Sequence, residues 1–526
     1  MSRNRDTGPA WSYHDSTKLS YIDLTSKPPL YKPSEGRPLV ALPRGLPPPE
    51  MPAIQAAALP GGGSGGRVDV AAVAQLLHYS SGLVRKAVVP SVGEVHYRAA
   101  ASAGALYPIE AYVVCGDVDG LPMGVYRFSP PEAGLYQVRE GDFRRCLSLA
   151  EGDGDGPAWD AAVVLTAVFW RSAWKYRARS YRYCFWDAGT VLANLLATAT
   201  ALGLPGRVSA GFVDEEVDRL LGLEGGREAA LCVVPLGDGT GSRRAPDCRL
   251  PTDARKAPAA RGETVYPEMR ELHRESCLGS VAEVQDWKGV LEPRPAEAAE
   301  RSHPLEPAGP DLPSTDGLGR VIEDRGSTRR FAREPISVAQ LDGALRASTG
   351  RLTADFLGPG ADSLLDVYVI VNAVEGLEPG AYHLTPGGQE LELLRRGAFR
   401  SEAGHLCFEQ ALGADAAAVV FLMADLQRVL GRLGNRGYRA AQLEAGVVGG
   451  RLYLATHALG LGATGITFYD DEVTEFFSPH ARGKSAMFVV PLGRKAAENR
   501  VRPFRSAIGV KLDALARGAY PAGSNP

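Results

Sequence analysis

Two short segments carry residue types that could hold an anion. The first, Tyr97-Arg98-Ala99-Ala100-Ala101-Ser102-Ala103-Gly104-Ala105-Leu106-Tyr107-Pro108, sets a guanidinium and a hydroxyl in a run of small side chains. Small residues let backbone amides approach a ligand closely, and Arg98 with Ser102 suits a phosphate or a polar ring edge. A tight entry into a strand gives the same pattern. The second, Arg325-Gly326-Ser327-Thr328-Arg329-Arg330-Phe331, places two guanidinium groups and a hydroxyl at alternating positions. On an extended segment these converge on one phosphate, although a solvated charge run also accounts for them.

Helix and strand signals alternate around both segments. Val70 to Leu77 reads as a helix, Ala111 to Val114 and Ala161 to Thr166 as strands, and Ala230 to Leu236 as a closing strand. A long helix from Phe185 to Leu202 stops at Gly203, and another helix starts near Ser337, after the arginine segment. Each half therefore reads as an α+β or α/β unit.

The chain also repeats itself. Val233-Val234-Pro235-Leu236-Gly237 recurs 256 residues later as Val489-Val490-Pro491-Leu492-Gly493, and Tyr112…Gly120-Leu121…Gly124…Tyr126 recurs at the same offset as Tyr368…Gly376-Leu377…Gly380…Tyr382. Asp187-Ala188-Gly189 and Ala201-Leu202-Gly203-Leu204 recur 257 residues later as Glu444-Ala445-Gly446 and Ala458-Leu459-Gly460-Leu461. Two copies of one domain lie in tandem. The expected organisation is an extended arm over 1–66, partly anchored by Tyr13, Tyr21 and Tyr31, and a first domain over 67–240. A proline-rich charged linker over 241–315 follows, with one helix from Glu268 to Trp287, and then a second domain with a basic tail over 316–526.

With 526 residues and 45% hydrophobic content, each copy can bury a core. A net charge of −3 offers no field to recruit nucleic acid or an anionic membrane. No apolar run reaches the ~18 residues of a membrane span, and no signal-peptide core is present, so the sequence reads as cytoplasmic. Seven cysteines without a C-x-x-C pair favour buried thiols over a disulfide framework or a zinc site. Nine histidines without H-E-x-x-H or H-x-H spacing predict no metal site.

In the first copy, Arg98…Ser102 to Pro108, then Lys175-Tyr176…Arg179-Ser180-Tyr181-Arg182-Tyr183…Asp187-Ala188-Gly189…Asn194, resemble the flavin-dependent nitroreductase superfamily. In the second, Arg325-x-Ser327-x-Arg329-x-Phe331, Gly437-Tyr438-Arg439…Glu444-Ala445-Gly446 and Ala458-Leu459-Gly460-Leu461-Gly462 resemble it too. The branch they resemble is the SagB-like peptide dehydrogenases, which oxidise azolines to azoles. The resemblance covers about 350 of the 526 residues. It implies an α+β fold, with a mainly antiparallel sheet flanked by helices in each copy. It also implies that the copies pack as a pseudo-dimer within the chain, with FMN at their interface; further association into a homodimer stays open.

By the same resemblance, Arg325, Ser327 and Arg329 hold the FMN phosphate, with Arg500 or Arg502 in the tail as a further contact. Arg98, Ser102, Ala103, Gly104, Ala105 and Tyr107 close the site. Gly465-Ile466-Thr467 lies near the flavin ring, where backbone amides contact its N5 or pyrimidine edge; Thr467 stands where the family has glycine. Lys175 and Tyr176 match the pair that removes a proton, the lysine as a base of lowered pKa and the tyrosine as relay or orienter. Tyr181, Arg182 and Asp187 suit structural roles, Asp187 pairing with an arginine and capping the long helix.

The two copies lack different parts. Ser102 to Pro108 falls opposite Gly358 to Leu364, Lys175-Tyr176 falls opposite Arg432-Leu433, and the first copy has Pro60-Gly61-Gly62-Gly63-Ser64 where an arginine segment would stand. One interface site keeps both clamp and wall and the other keeps neither, so one FMN per chain is expected. The expected activity is azoline oxidation in a peptide or natural product, alongside other enzymes of a biosynthetic pathway. The alternatives are an NAD(P)H-dependent nitro or quinone reductase and a cofactor-free scaffold for a leader peptide.

Overall fold

The computed structural model describes residues 3–18, 28–59, 66–89, 93–154, 158–239, 247–249, 263–289, 301–305, 316–358, 363–497 and 504–505. Each half is built on an antiparallel sheet. In the first, strands Leu39–Ala41, Gly134–Glu140, Gly124–Ser129, Ile109–Cys115, Ala161–Val168 and Glu228–Leu236 lie side by side in that order. In the second, Ser302–Pro304, Glu390–Arg396, Gly380–Leu384, Leu365–Val371, Ala418–Ala424, Ser485–Gly493 and Gly462–Ala463 follow the same order, with one short strand added. Every residue of Ile109–Cys115, Leu365–Val371 and Ala418–Ala424 is buried. That explains why these strands read as mostly apolar runs, broken only by the buried Glu110 and Asp366, and not as alternating ones.

Helices Ser180–Ala201 and Leu426–Ala458, the latter interrupted at Gly434, pack together and join the halves. Their backbones meet where the repeat aligns Gly189 with Gly446. A Cβ on Gly189 would lie 2.5 Å from Gly446 Cα, and one on Gly446 2.5 Å from the Trp186 carbonyl oxygen. No side chain can yield there, because the obstructing atoms are backbone. Gly446→Ala is therefore expected to cost about 3 kcal/mol, the upper part of the usual overpacking range. Urea unfolding measures it, and an unchanged midpoint would show that the crossing tolerates a methyl group.

The segments expected to be arm and linker are partly built into the domains. Within 1–66, helices Gly8–Ser16 and Ala53–Ala58 form, Tyr13 is buried, and Leu39–Ala41 supplies an edge strand; Tyr21 lies outside the described residues. Within 241–315, Ser302–Pro304 supplies the matching edge strand of the other sheet. The single helix expected from Glu268 to Trp287 is two, Pro267–Glu275 and Val281–Trp287, because Ser280 caps the second by accepting from the Glu283 amide. From the tail, Phe504–Arg505 pairs with Arg85 and Lys86 of a hairpin in the first domain.

The expectation of reduced thiols throughout is corrected at one place. Cys146 and Cys248 form a disulfide, the chain at 247–249 lying against the helix Arg144–Ala150; the other five cysteines are free. Among the described residues, no helix is long and apolar enough to cross a membrane.

Candidate active site

A cavity of about 660 Å³ is lined from both domains. The first contributes Arg98, Ser102, Ala103, Gly104, Ala105, Tyr107, Lys175 and Tyr176; the second contributes Arg325, Ser327, Arg329, Gly465, Ile466 and Thr467. These nominated residues therefore share one space, while Arg500 and Arg502 lie outside the described residues. Trp186 and Phe488 add a flat apolar surface, their rings 5.1 Å apart and 25° from parallel. A separate cavity of about 800 Å³, lined by Trp170, Tyr181, Tyr266 and His273 among others, contains none of the nominated residues.

The small-residue wall is held by Asp187. Its carboxylate accepts from Ser102 Oγ at 2.5 Å and from the Ala103 amide at 3.0 Å, while Ser102 Oγ accepts from the Tyr107 amide at 2.9 Å. This corrects the expected arginine pairing and helix cap, since Asp187 sits inside the helix Ser180–Ala201 and reaches across to the loop. Burial pushes its carboxyl up to about 7, against hydrogen bonds from Ser102 and Ala103 that lower it. The raised value means the folded state keeps a proton that the unfolded chain releases. That contribution to stability is full below the ordinary 3.8 and is lost as pH rises toward about 7. Relative to Asp187→Asn, the wild-type chain should lose stability across this window, by at most on the order of 4 kcal/mol. A pH-independent difference in unfolding free energy would refute the linkage.

Gly104 lies against the lysine–tyrosine pair. A Cβ there would stand 2.7 Å from Tyr176 Oη and 3.1 Å from Lys175 Nζ, and its φ of +62° also suits glycine. The pair ends the helix Phe169–Tyr176, after which Arg177 takes a φ of 49° and redirects the chain. Burial, then the charge of Arg329, lowers the pKa of Lys175, which favours a neutral amine able to accept a proton. Burial, with Tyr183 and Asp187, raises that of Tyr176, so its hydroxyl keeps its proton.

Arg98 lines the cavity, but its guanidinium donates to the carbonyls of Ile109 (3.0 Å) and Leu30 (3.2 Å) and lies over the rings of Tyr31 and Tyr107. These contacts brace the wall, while its Nε is buried without a hydrogen-bond partner. Arg325 donates to the Ala99 carbonyl through Nε (3.2 Å) and Nη2 (2.8 Å), tying the second domain's clamp to the first domain's loop. Ser327 Oγ is 3.1 Å from Tyr453 Oη, Thr328 Oγ1 is buried without a hydrogen-bond partner, and Arg329 is exposed. Arg85, His457 and Lys495 also line the cavity and were not nominated from sequence. They come as isolated residues from three elements, with no local motif. Burial, partly offset by Asp324, lowers the pKa of Lys495.

An anion fits this end, where cations, two hydroxyls and one unsatisfied buried hydroxyl group gather. The phosphate of FMN has that chemistry, and the small-residue loop with the Trp186–Phe488 surface suits its ring. The backbone expectation at 465–467 is narrowed: the Gly465 amide donates to Tyr453 Oη (2.7 Å) and the Ile466 amide to the Val489 carbonyl (3.1 Å). Among the described residues, Thr467 is the one of the three whose amide makes no such bond.

The Nitroreductase family profile matches residues 67–238 and again 322–494. The chain belongs to the nitroreductase family. MJ1384 of Methanocaldococcus jannaschii, a nitroreductase-type protein by name, is 28% identical over 183 residues, 34% of this chain and 91% of that protein. McbC of Escherichia coli, a microcin B17-processing protein, is 31% identical over 157 residues, 28% of this chain and 57% of McbC. TfxB of Rhizobium leguminosarum bv. trifolii, a trifolitoxin-processing protein, is 29% identical over 163 residues, 30% of this chain and 43% of TfxB. The matches thus span about half the length of these two processing proteins. A solved nitroreductase-type structure from Anabaena variabilis aligns over 93% of this chain and 99% of its own, with 26% identity and a TM-score of 0.71. The two-domain arrangement as a whole is shared with it.

In this nitroreductase-family oxidoreductase the pseudo-symmetric position makes different contacts. Asp355 accepts from the amides of Ala210 and Gly211, both at 2.9 Å, and from Ser209 Oγ at 3.0 Å. Ser209 and Ala210 are the repeat counterparts of Ile466 and Thr467. Trp287 packs against Gly211 and donates through Nε1 to the carbonyl of Leu433 (2.8 Å), the counterpart of Tyr176. A carboxylate and an indole thus stand against the repeat counterparts of residues that line the cavity.

Proposed function

We propose that the composite cavity binds one FMN and that the chain dehydrogenates an azoline-type ring of a peptide or related natural product to the azole. The observation that carries this reading is the convergence of Lys175 and Tyr176 with Arg325, Ser327 and Arg329 around one space. FMN supplies two-electron oxidation chemistry when bound. Ser327, Thr328 and the surrounding cations would hold its phosphate. Lys175 would accept the substrate proton, with Tyr176 orienting it. The names of McbC and TfxB, processing proteins for microcin B17 and trifolitoxin, support a peptide substrate and partner enzymes of one biosynthetic pathway.

A second reading, NAD(P)H-dependent reduction of nitro compounds or quinones, is favoured by the nitroreductase name of MJ1384, most of whose length the chain matches. Purified chain reconstituted with FMN separates the two. Azole formation with oxygen uptake, and flavin absorbance indifferent to NADPH in air-free buffer, supports the dehydrogenase; rapid bleaching by NADPH supports the reductase. The expected flavin-to-chain ratio is near one, and a ratio near two would overturn the single-site reading. A protein that refuses FMN would overturn both enzymatic readings and leave the scaffold.

A further inference from the structure

We infer that the second domain carries a binding site for one divalent transition-metal ion, zinc by ligand chemistry, formed by His383, Glu392 and His480. The three lie away from the residues lining the flavin cavity, on neighbouring strands Gly380–Leu384 and Glu390–Arg396 and on the loop after helix Asp470–Phe477. One ligand atom from each falls within 4.8 Å of the other two. His383 Nδ1 is 3.6 Å and His480 Nε2 4.0 Å from Glu392 Oε2. A tetrahedral ion with bonds of about 2.1 Å holds its ligand atoms about 3.4 Å apart, so small rotamer adjustments close the site.

Three further observations point to a cation. His383 is 5% exposed, yet neither ring nitrogen has a hydrogen-bond partner. A buried imidazole left in that state costs free energy that coordination would recover. The nitrogens not aimed at Glu392 face the groups that orient metal-bound histidines: His383 Nε2 is 3.5 Å from Asp366 Oδ1, and His480 Nδ1 is 2.8 Å from Tyr368 Oη. Lys484 donates to the same Tyr368 hydroxyl at 2.9 Å and pairs with Asp366 at 3.2 Å. Two carboxylates, Asp366 and Glu392, thus outweigh one ammonium. Glu392 and His480 keep side-chain exposures of 26% and 29%, which gives an ion a way in.

The first domain shows what the duplication changed. Tyr112 matches Tyr368, but the cross-strand pair His383–Glu392 is replaced by Arg127–Tyr136. The Arg127 guanidinium donates to the Pro33 carbonyl at 2.6 Å and lies over the Tyr136 ring, so no cation fits. In the second domain, the ion would fasten the loop after Asp470–Phe477 to the sheet. Asp470, which begins that helix, pairs with Arg182 at 2.5 Å and Arg179 at 2.9 Å, just beyond the Lys175–Tyr176 pair.

The test uses the full chain stripped of metal and titrated with Zn²⁺ alone against a chromophoric chelator, with flavin content held constant. One zinc per chain is expected, weakened at least about tenfold in Glu392→Gln and in His480→Gln. Both side chains are partly exposed, so these variants avoid the folding risk of replacing His383. Zinc should also raise the thermal midpoint of the wild-type chain but not of the variants. Failure of the wild-type chain to bind zinc, or undiminished binding in both variants, overturns the site. A thiolate charge-transfer band with Co²⁺ would do the same by assigning the ion to cysteines. None of these readouts depends on the reaction proposed for the flavin cavity.

Discussion

Lys175→Gln is expected to lower the rate of azoline oxidation about 10²- to 10⁴-fold while leaving FMN bound, the range attributed to a positioned general base. Lys175 lines the cavity beside Tyr176 and Gly104, whereas the clamp residues Arg325 and Ser327 make their own contacts with Ala99 and Tyr453. Flavin retention should therefore survive the substitution. The pH profile gives a second readout. A base acts when deprotonated, so the wild-type rate should rise with pH along a limb whose midpoint lies below the ordinary 10.5, burial and Arg329 having lowered the lysine. The variant should lack that limb. A variant that keeps both the rate and the limb would remove Lys175 from the mechanism, and one that loses flavin would make it a binding residue.

Trp287→Ala should destabilise the chain by about 3–5 kcal/mol, the usual cost of truncating a buried tryptophan. The side chain is 1% exposed, packs against Gly211, lies 5.8 Å from the Arg436 guanidinium and satisfies the Leu433 carbonyl. Truncation would open a void and leave the Leu433 carbonyl with the Asn4 side-chain amide as its donor. The flavin ratio should nonetheless stay near one. Asp355 would still hold the amides of Ala210 and Gly211, and no arginine segment stands ready on the first domain. Denaturant unfolding and flavin absorbance on the same sample test both halves. An unmoved midpoint would show that the indole is dispensable, and a second flavin would show that it alone blocks the site.

The architecture was legible because duplication wrote it twice. Two aligned glycines, Gly189 and Gly446, mark the helix crossing, and the shared Val-Val-Pro-Leu-Gly marks equivalent strands. The clamp and the wall were legible too, since each concentrates unusual residue types in one short segment. What stayed hidden depends on partners distant in sequence. The bonds that turn Arg98 into a brace go to carbonyls of Ile109 and Leu30, which no side-chain pattern reveals. Cys146 and Cys248 are 102 residues apart, and spacing is silent at that range. Arg85 and Lys495 meet at the cavity only because a hairpin of one domain and a strand end of the other converge. The break before Val281–Trp287 did have a signal, Ser280-x-x-Glu283, which marks a helix start within an otherwise continuous helical stretch.

The joining of both halves in one polypeptide changes the order of the reaction by which the site assembles. A cavity shared by two separate subunits forms in a bimolecular step and comes apart on dilution. Here the partner surface is tethered, at an effective concentration set by the connecting chain. Assembly of the cavity should then be first order in protein and insensitive to dilution, while release of a bound flavin keeps its own dissociation constant. The tether also releases each half from the demand that it fit a copy of itself. Asp355 and Trp287 could settle on one side, and Lys175 and Tyr176 on the other, without every substitution appearing twice in the assembled enzyme.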